Sequence, residues 1–354
     1  MPSLFLNSST IQPIMTWLCV VTLHQHLKGV FIAKLATVSL MAVLLLIQQR
    51  GFLTWKIRFG EAIRLMKFSV PGLPDIVQTN FMNLLPRYML VHFSTLTAVG
   101  LFGIADRVAR TVDMFKVSFN RAWNPFAFAN AGKEDEKYLY EKVFKLFAGG
   151  LLLLAAALTL FASEILSILT PPRYHSAAVL VGGLTFYYAL RALTLVYSTG
   201  LYSVNKVAHT SLMASIQLAA FTACALFLVP RYSAAGLVLS LDAAALIFFA
   251  CYTLTVKKHF AFRFSASRLF SALLPAVAGA GYVIYQTSHS VGNAAIGGNF
   301  LIKSALLSVY ILAGYYIILT ADERSAVESK IKSFIKRREC APRSGVRSGP
   351  GEEL

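Results

Sequence analysis

The chain has 354 residues, of which 56% are hydrophobic and 14% charged, and its mean hydropathy is +0.62. This composition is too apolar for an ordinary soluble domain and indicates a membrane protein. The formal net charge is +17, but the cations cluster in short segments between apolar runs, which argues against a nucleic-acid partner.

Apolar runs of about 20 residues, the length needed to cross a bilayer, recur along nearly the whole chain. They lack the alternation of barrel strands, and in lipid only helices or closed barrels satisfy the backbone. We therefore predict an all-α fold, a polytopic membrane helix bundle of about ten transmembrane helices. The predicted spans are 8–24, 30–48, 71–93, 98–128, 146–169, 177–203, 210–229, 234–256, 269–286 and 300–320.

Lysine and arginine alternate between rich and poor loops after residue 50. The rich segments are 50–67, 132–145, the loop at 206, 257–268 and the C-terminal tail. Because cytoplasmic loops collect these cations, we predict that the rich segments and the tail face the cytoplasm. Segment 51–70 has helical apolar spacing and a basic side, which fits either an amphipathic helix on the inner membrane surface or a plain basic loop.

Ionisable residues are densest in the predicted span 98–128. At 100° per residue, an arc of about 100° holds five polar side chains: Asp106, Arg110, Asp113, Asn120 and Arg121. Arg110 is spaced to pair with Asp106 and Asp113, which leaves Arg107 and Arg121 as surplus positive charge. A charge in hydrocarbon costs about 2.5 kcal/mol or more unless it faces a partner or a watery cavity. The stripe therefore either lines a hydrated cavity or forms a structural ion-pair network.

Other spans add isolated charges. Arg87 and Arg191 have no acid within one helical turn, so they need partners from elsewhere or from a ligand. Since a guanidinium suits bidentate contact with phosphate, we predict an anion-binding set: Arg87, Arg107, Arg110, Arg121 and Arg191. Asp106, Asp113 and Asp242 are predicted to form ion pairs or to couple an ion, with Asp242 either pairing with an arginine or taking up a proton or Na⁺. Lys303 is expected to reach the outer interface.

Enzyme signatures do not occur in the sequence. There is no Walker-type loop, zinc motif or nucleophile motif, and the four cysteines are scattered singly. We predict no catalytic site, no metal and no cofactor, and therefore a protein that works inside the membrane rather than an enzyme.

Four short motifs resemble the polysaccharide flippases of the multidrug/oligosaccharidyl-lipid/polysaccharide (MOP) superfamily. They are PGLP at 71–74, RYML at 87–90, AVGLF at 98–102 and FNRAWNPF at 119–126, and their order and spacing match over about residues 30–320. The resemblance implies two six-helix lobes that alternate access across a V-shaped cavity. It also implies an anionic substrate, an oligosaccharide linked to polyprenyl pyrophosphate, which is moved across the bacterial cytoplasmic membrane.

The resemblance also implies a division of the chain. Residues 1–50 correspond to the last two helices of a first lobe, 51–70 to a cytoplasmic linker, and 71–260 to a complete second lobe. Residues 261–320 are an appended helix pair, and 321–354 are a basic tail that is partly disordered. Because the family usually has twelve or fourteen spans, we expect the chain to be incomplete at its N-terminal side, or a partner to supply the rest.

Three functions remain open. The first is a flippase for O-antigen or capsule export, whose partners are the lipid-linked oligosaccharide, membrane lipid, and a polysaccharide polymerase or glycosyltransferases. The second is a drug or cation exporter of the same superfamily, which the excess of arginine over acid in the spans disfavours. The third is a truncated membrane fragment or scaffold that does not transport.

Overall fold

A computed structural model of the chain describes residues 8–22, 26–51, 59–130, 132–133, 136–203, 207–259 and 303–309. Every regular element in these ranges is helical, which confirms the predicted all-α class. The predicted span 269–286, most of the span 300–320 and the tail lie outside the described residues. The chain divides into two compact units, Met1–Lys67 and Phe68–Leu354, which are described separately.

The first unit is built on two helices. Helix α1 (Ser8–Trp17) continues into a π-helical turn (Leu18–Thr22), and both pack against α2 (His26–Gln49). On α2 the small side chains of Ala33 and Thr37 are buried, while most of its large apolar side chains are exposed. A helix with this pattern suits lipid on its outer faces.

Helix α3 (Phe59–Ser69) follows. The structure thus favours the helical interpretation of segment 51–70 over the plain loop, although residues 52–58 lie outside the described ranges. The apolar side chains of Phe59, Ile63 and Met66 are exposed. Placement of α3 on the membrane surface remains a prediction.

The second unit packs around one central helix. Its helices are α4 (Leu73–Phe93), α5 (Leu96–Ala109), α6 (Thr111–Ala129), α7 (Glu136–Leu160), α8 (Ala162–Leu169), α9 (Ala178–Ser203) and α10 (Val207–His259). Helix α9 contacts α5, α6, α7, α8 and α10, and α10 also packs on α4. Leu184, Leu190 and Leu193 of α9 are fully buried, so α9 forms the centre of the core and faces several helices at once.

Two predicted spans are interrupted, and both corrections have a backbone cause. The span 98–128 is divided at Arg110, where φ is −61° and ψ is −12°. The hydrogen bonds from Arg110 N to Asp106 O (2.9 Å) and from Met114 N to Arg110 O (3.0 Å) persist, so the division is a kink rather than a loop. The span 146–169 begins earlier, at Glu136, and breaks at Phe161 (φ −98°, ψ 14°). A hydropathy pattern shows neither of these features, because the extension of the helix to Glu136 is polar and the two breaks are local changes in φ and ψ.

Helix α10 contains both predicted spans 210–229 and 234–256. They are separated at Ser233, whose φ of 52° and ψ of −128° are not helical. The hydroxyl of Ser233 contacts the hydroxyl of Ser94, between α4 and α5. At the other end of the same helix pair, Gln78 Nε2 donates to Gln217 Oε1 over 2.8 Å. The first half of α10 therefore runs parallel to α4.

Among the described residues, four helical segments are long and apolar enough to cross a membrane, by length and composition: Lys28–Gln48, Tyr138–Leu160, Pro172–Tyr202 and Ala208–Lys258. The last has 51 residues, and at about 1.5 Å per residue it is more than twice the thickness of the hydrocarbon core. The chain is thus a polytopic helix bundle, as predicted.

Candidate functional site

Asp106 of α5 is a buried carboxylate at which three helices meet. Its Oδ1 accepts a hydrogen bond from the Tyr188 hydroxyl of α9 over 2.6 Å. Its Oδ2 accepts one from Arg110 Nε over 2.9 Å and lies 3.5 Å from Arg87 Nη2 of α4. We call these four residues the Asp106 cluster. Because its members come from α4, α5, the α5–α6 kink and α9, the cluster ties together the centre of the second unit.

The local sequence places Asp106 in the interior. Thr95 caps the start of α5, since its Oγ1 accepts a hydrogen bond from Ala98 N over 3.3 Å. From there Ala98, Phe102, Ala105 and Ala109 are buried at helical spacing, which turns this face of α5 toward the core. Asp106 lies on the same side, and Arg110 follows one turn later, where it can reach the carboxylate.

The two arginines of the cluster are held differently. Arg110 is anchored by Asp106, by Asn83 Oδ1 (3.4 Å from Nη2) and by the Tyr188 ring (5.7 Å from the guanidinium to the centroid). The Arg87 side chain is 54% exposed, against 36% for Arg110, and its contact with Asp106 is long. Two guanidinium groups share one carboxylate, so the cluster carries surplus positive charge, and Arg87 is the more available cation.

Arg191 of α9 is a third, half-buried guanidinium close to the cluster. Its Nη1 donates to the Tyr187 hydroxyl over 3.2 Å, and its guanidinium lies 5.8 Å from the centroid of the Tyr187 ring. Within the described ranges no carboxylate forms an ion pair with it. Its hydrogen-bonding capacity is therefore only partly used.

The structure separates the remaining predicted residues from the cluster. Asp113 pairs with Lys116 over 2.5 Å, so the predicted Arg110–Asp113 pair is wrong. The physical reason is the kink at Arg110, which leaves the Arg110 side chain with α5 while Asp113 belongs to α6. Arg107 and Arg121 are exposed and form no ion pair with any residue that the structure describes.

Asp242 lies in the second half of α10 and faces α9. Its Oδ1 is buried and has no hydrogen-bond partner among the residues that the structure describes. A Cβ placed on Gly183 of α9 would lie 3.1 Å from its Oδ2, so the carboxylate sits close against the α9 backbone. No arginine of the described segments pairs with Asp242. Uptake of a proton or Na⁺ by this carboxylate stays a prediction.

Lys303 is buried, and its Nζ lies 2.7 Å from Glu164 Oε1 of α8. The expectation that Lys303 reaches the outer interface is therefore wrong, because α8 supplies an acid that pairs with it inside the protein. The sequence does indicate that such a pair is needed, because Glu164 is an acid within an apolar run. A carboxylate in that setting requires a partner.

Sequence reasoning did not assign roles to Tyr188 and Asn83. The spacing of both residues gives a weak indication that they lie near an arginine. Asn83 lies one turn before Arg87 on α4, and Tyr188 lies three residues before Arg191 on α9. Polar residues at these spacings share a helix face, but spacing alone does not show which partner on another helix they meet.

No protein-family model matches the chain, and no curated protein matches it. Among solved structures, the chain is similar to a lipid II flippase, MurJ, in an inward closed conformation, with a TM-score of 0.62 and 11% sequence identity. The similarity covers 87% of this chain and 67% of the other. It confirms the predicted all-α polytopic helix bundle, with a fold like that of this flippase. The polysaccharide specificity implied by the same resemblance remains a prediction.

Proposed function

We propose that this chain takes part in moving a lipid-linked oligosaccharide across the bacterial cytoplasmic membrane, and that its arginines contact the pyrophosphate of that substrate. The observation that carries the proposal is the surplus of guanidinium over carboxylate at the meeting point of α4, α5 and α9. Arg87 is exposed and Arg191 has no acid in ion-pair contact among the described residues, so both have donors to offer an anion.

The energetics suit transport rather than permanent binding. A hydrogen bond to a charged group contributes about 1.5–3 kcal/mol, and this gain is partly offset by the cost of drying both partners. A transported substrate must also leave, so a few contacts of this size serve better than one deep pocket. Arg87, Arg110 and Arg191 supply such contacts, and Arg107 and Arg121 are proposed as weaker, exposed sites.

The fold supports the substrate class. The similar solved structure is that of a lipid II flippase, which supports a lipid-linked precursor as the kind of molecule handled here. The finer assignment to O-antigen or capsule export, with a polymerase or glycosyltransferases as partners, rests on the sequence motifs. We further propose that residues 71–260 act as the second lobe of the transporter and that the basic loops and C-terminus are cytoplasmic.

Binding to the purified full-length chain in lipid nanodiscs tests the proposal. Undecaprenyl pyrophosphate is the probe, and undecaprenol, which has the same tail without the charge, is the comparison lipid. We expect the pyrophosphate to bind at least about tenfold more tightly, which corresponds to about 1.4 kcal/mol. Equal affinity for the two lipids would contradict the proposal.

Single variants assign the contacts. Arg87→Ala and Arg191→Ala are each expected to weaken pyrophosphate binding about tenfold, whereas the lysine variants lose less because they keep the charge without the planar fork. Arg173→Ala is the control, since Arg173 stacks on Tyr174 in the 3₁₀ helix Pro172–Ala177 before α9 and is not a member of the cluster. A loss for Arg173→Ala as large as for Arg87→Ala would show a general charge effect instead of a site.

The alternative function, a drug or cation exporter, predicts the opposite binding preference. A drug or cation exporter binds an organic cation better than an anionic lipid. The observation that favours it is the buried Oδ1 of Asp242, which has no partner among the described residues. Binding of ethidium that is abolished by Asp242→Asn, together with indifference to pyrophosphate, would favour that function.

A further inference from the structure

The two oxygens of Asp106 are used for different partners. Among the described residues, Oδ1 accepts only from the Tyr188 hydroxyl, over 2.6 Å, whereas Oδ2 serves both Arg110 (2.9 Å) and Arg87 (3.5 Å). An arginine and a carboxylate bind most strongly when two parallel hydrogen bonds join both oxygens to one guanidinium. With Tyr188 on Oδ1, both arginines contact Oδ2 alone, and neither forms that bidentate pair.

Tyr188 is held firmly in this position. Its side chain is buried, its ring packs edge-on against Tyr187 at 5.1 Å between centroids, and the Arg110 guanidinium covers its face at 5.7 Å. Because its hydroxyl proton points to Asp106, the tyrosine is committed to the carboxylate rather than to a ligand. Any effect of the Tyr188 hydroxyl on an anion therefore passes through Asp106.

We infer that Tyr188 is a positioning residue that keeps the Arg87 guanidinium available to the substrate by occupying Asp106 Oδ1. This inference rests on the proposed function, since it concerns the affinity of the same site for an anionic phosphate. The phosphate displaces only the single 3.5 Å contact between Arg87 and Asp106. Arg110 and Tyr188 remain on the carboxylate, so Asp106 never becomes an unpaired buried charge.

Removal of the Tyr188 hydroxyl tests the inference. In Tyr188→Phe, Oδ1 is free, the arginines can take both oxygens, and Arg87 is held more tightly by the protein. We expect affinity for undecaprenyl pyrophosphate in nanodiscs to fall about tenfold, with undecaprenol binding unchanged. Tyr197→Phe is the matched control, because Tyr197 is a buried tyrosine of the same helix that stacks on Phe144 at 5.0 Å. It should change the affinity by less than about twofold, the effect of a substitution away from the site.

A second substitution separates positioning from a general structural effect. Asp106→Asn removes the competing charge, so it should tighten pyrophosphate binding about tenfold, and adding Tyr188→Phe to it should have no further effect. A structural role for the tyrosine predicts the same loss in both backgrounds, since the two substitutions would then be additive. Should Tyr188→Phe fail to fold, Asp106→Asn alone still tests the mechanism, and unchanged or weaker binding by that variant overturns the inference.

The outcomes distinguish the two proposals. If the unmodified chain binds the pyrophosphate lipid no more tightly than the alcohol, the proposed function fails. If it prefers the pyrophosphate but Tyr188→Phe binds as the unmodified chain does, the function stands and the role of Tyr188 is refuted. An equal loss from Tyr188→Phe with and without Asp106→Asn also refutes that role.

Discussion

The ion pair between Lys303 and Glu164 gives a quantitative test of the packing in the second unit. The Lys303 side chain is 4% exposed and that of Glu164 is 18% exposed, with 2.7 Å between Nζ and Oε1. Glu164→Gln keeps the shape of the side chain but leaves the ammonium group without a counter-charge. Removal of one partner of a buried pair typically costs about 3–5 kcal/mol. Because Gln still offers one acceptor and position 164 is not fully buried, we expect about 3 kcal/mol, the lower end of that range.

The assay is reversible unfolding of the purified full-length chain in mixed micelles, followed by tryptophan fluorescence. A loss of about 3 kcal/mol lowers the ratio of folded to unfolded protein by more than about a hundredfold. Asp113→Asn is the control, because its pair with Lys116 is more exposed (34% and 23%) and such pairs contribute about 0–1 kcal/mol.

A double replacement completes the cycle. Glu164→Leu combined with Lys303→Met removes both charges and keeps apolar volume, so it should be nearly neutral or stabilising. Two results contradict the reasoning. One is a cost for Glu164→Gln no larger than that for Asp113→Asn. The other is a double variant as unstable as Glu164→Gln, which would mean that the unpaired charge is not the source of the cost.

Three further predictions concern backbone, packing and topology. Ser233→Gly should be more stable than Ser233→Ala by about 1–2 kcal/mol in the same unfolding assay, since both lose the hydroxyl but only alanine keeps a Cβ at φ 52°; equal stability would contradict this. Gly183→Ala should cost about 1–3 kcal/mol because its methyl group would meet the side chain of Val238, and Val238→Ala should restore part of the loss. Cysteines placed in segment 51–70 and in the tail 321–354 should resist an impermeant thiol reagent in intact cells, because both segments are predicted to be cytoplasmic. If the reagent labels either segment in intact cells, that segment is not cytoplasmic and the assignment is wrong.

The fold was largely predictable because hydropathy measures the property that the bilayer selects. The predicted span 177–203 corresponds to α9 (Ala178–Ser203), and 71–93 corresponds to α4 (Leu73–Phe93). The breaks at Arg110 and Phe161 were not predictable, since each depends on the φ and ψ of one residue inside an otherwise helical pattern. No change in composition marks either position.

The contacts of the candidate site were likewise predictable from the sequence only in part. The pair between Asp106 and Arg110 follows from helix geometry, because the two residues are four apart. The partner of Arg87 lies 19 residues away and the tyrosine on Asp106 lies 82 residues away. Such contacts depend on which helix faces pack together, and one sequence does not contain that information. Sequence indicated that Arg87 needed a partner, and the structure identifies it.

The arrangement around Asp106 reconciles two requirements that conflict in a membrane. An empty anion site in hydrocarbon is expensive, because each unpaired guanidinium lacks solvation. A fully paired site is stable but has no donors left for the substrate. Here Arg110 and Tyr188 satisfy the buried carboxylate with short contacts of 2.9 Å and 2.6 Å, while Arg87 is retained by one long contact of 3.5 Å and stays exposed. Under the proposed function, the substrate phosphate would have to break only the weakest contact in the cluster, and the same contact would re-form on its departure. In that proposal, Arg87 exchanges one anionic partner for another during binding and release, so neither step leaves its guanidinium unpaired.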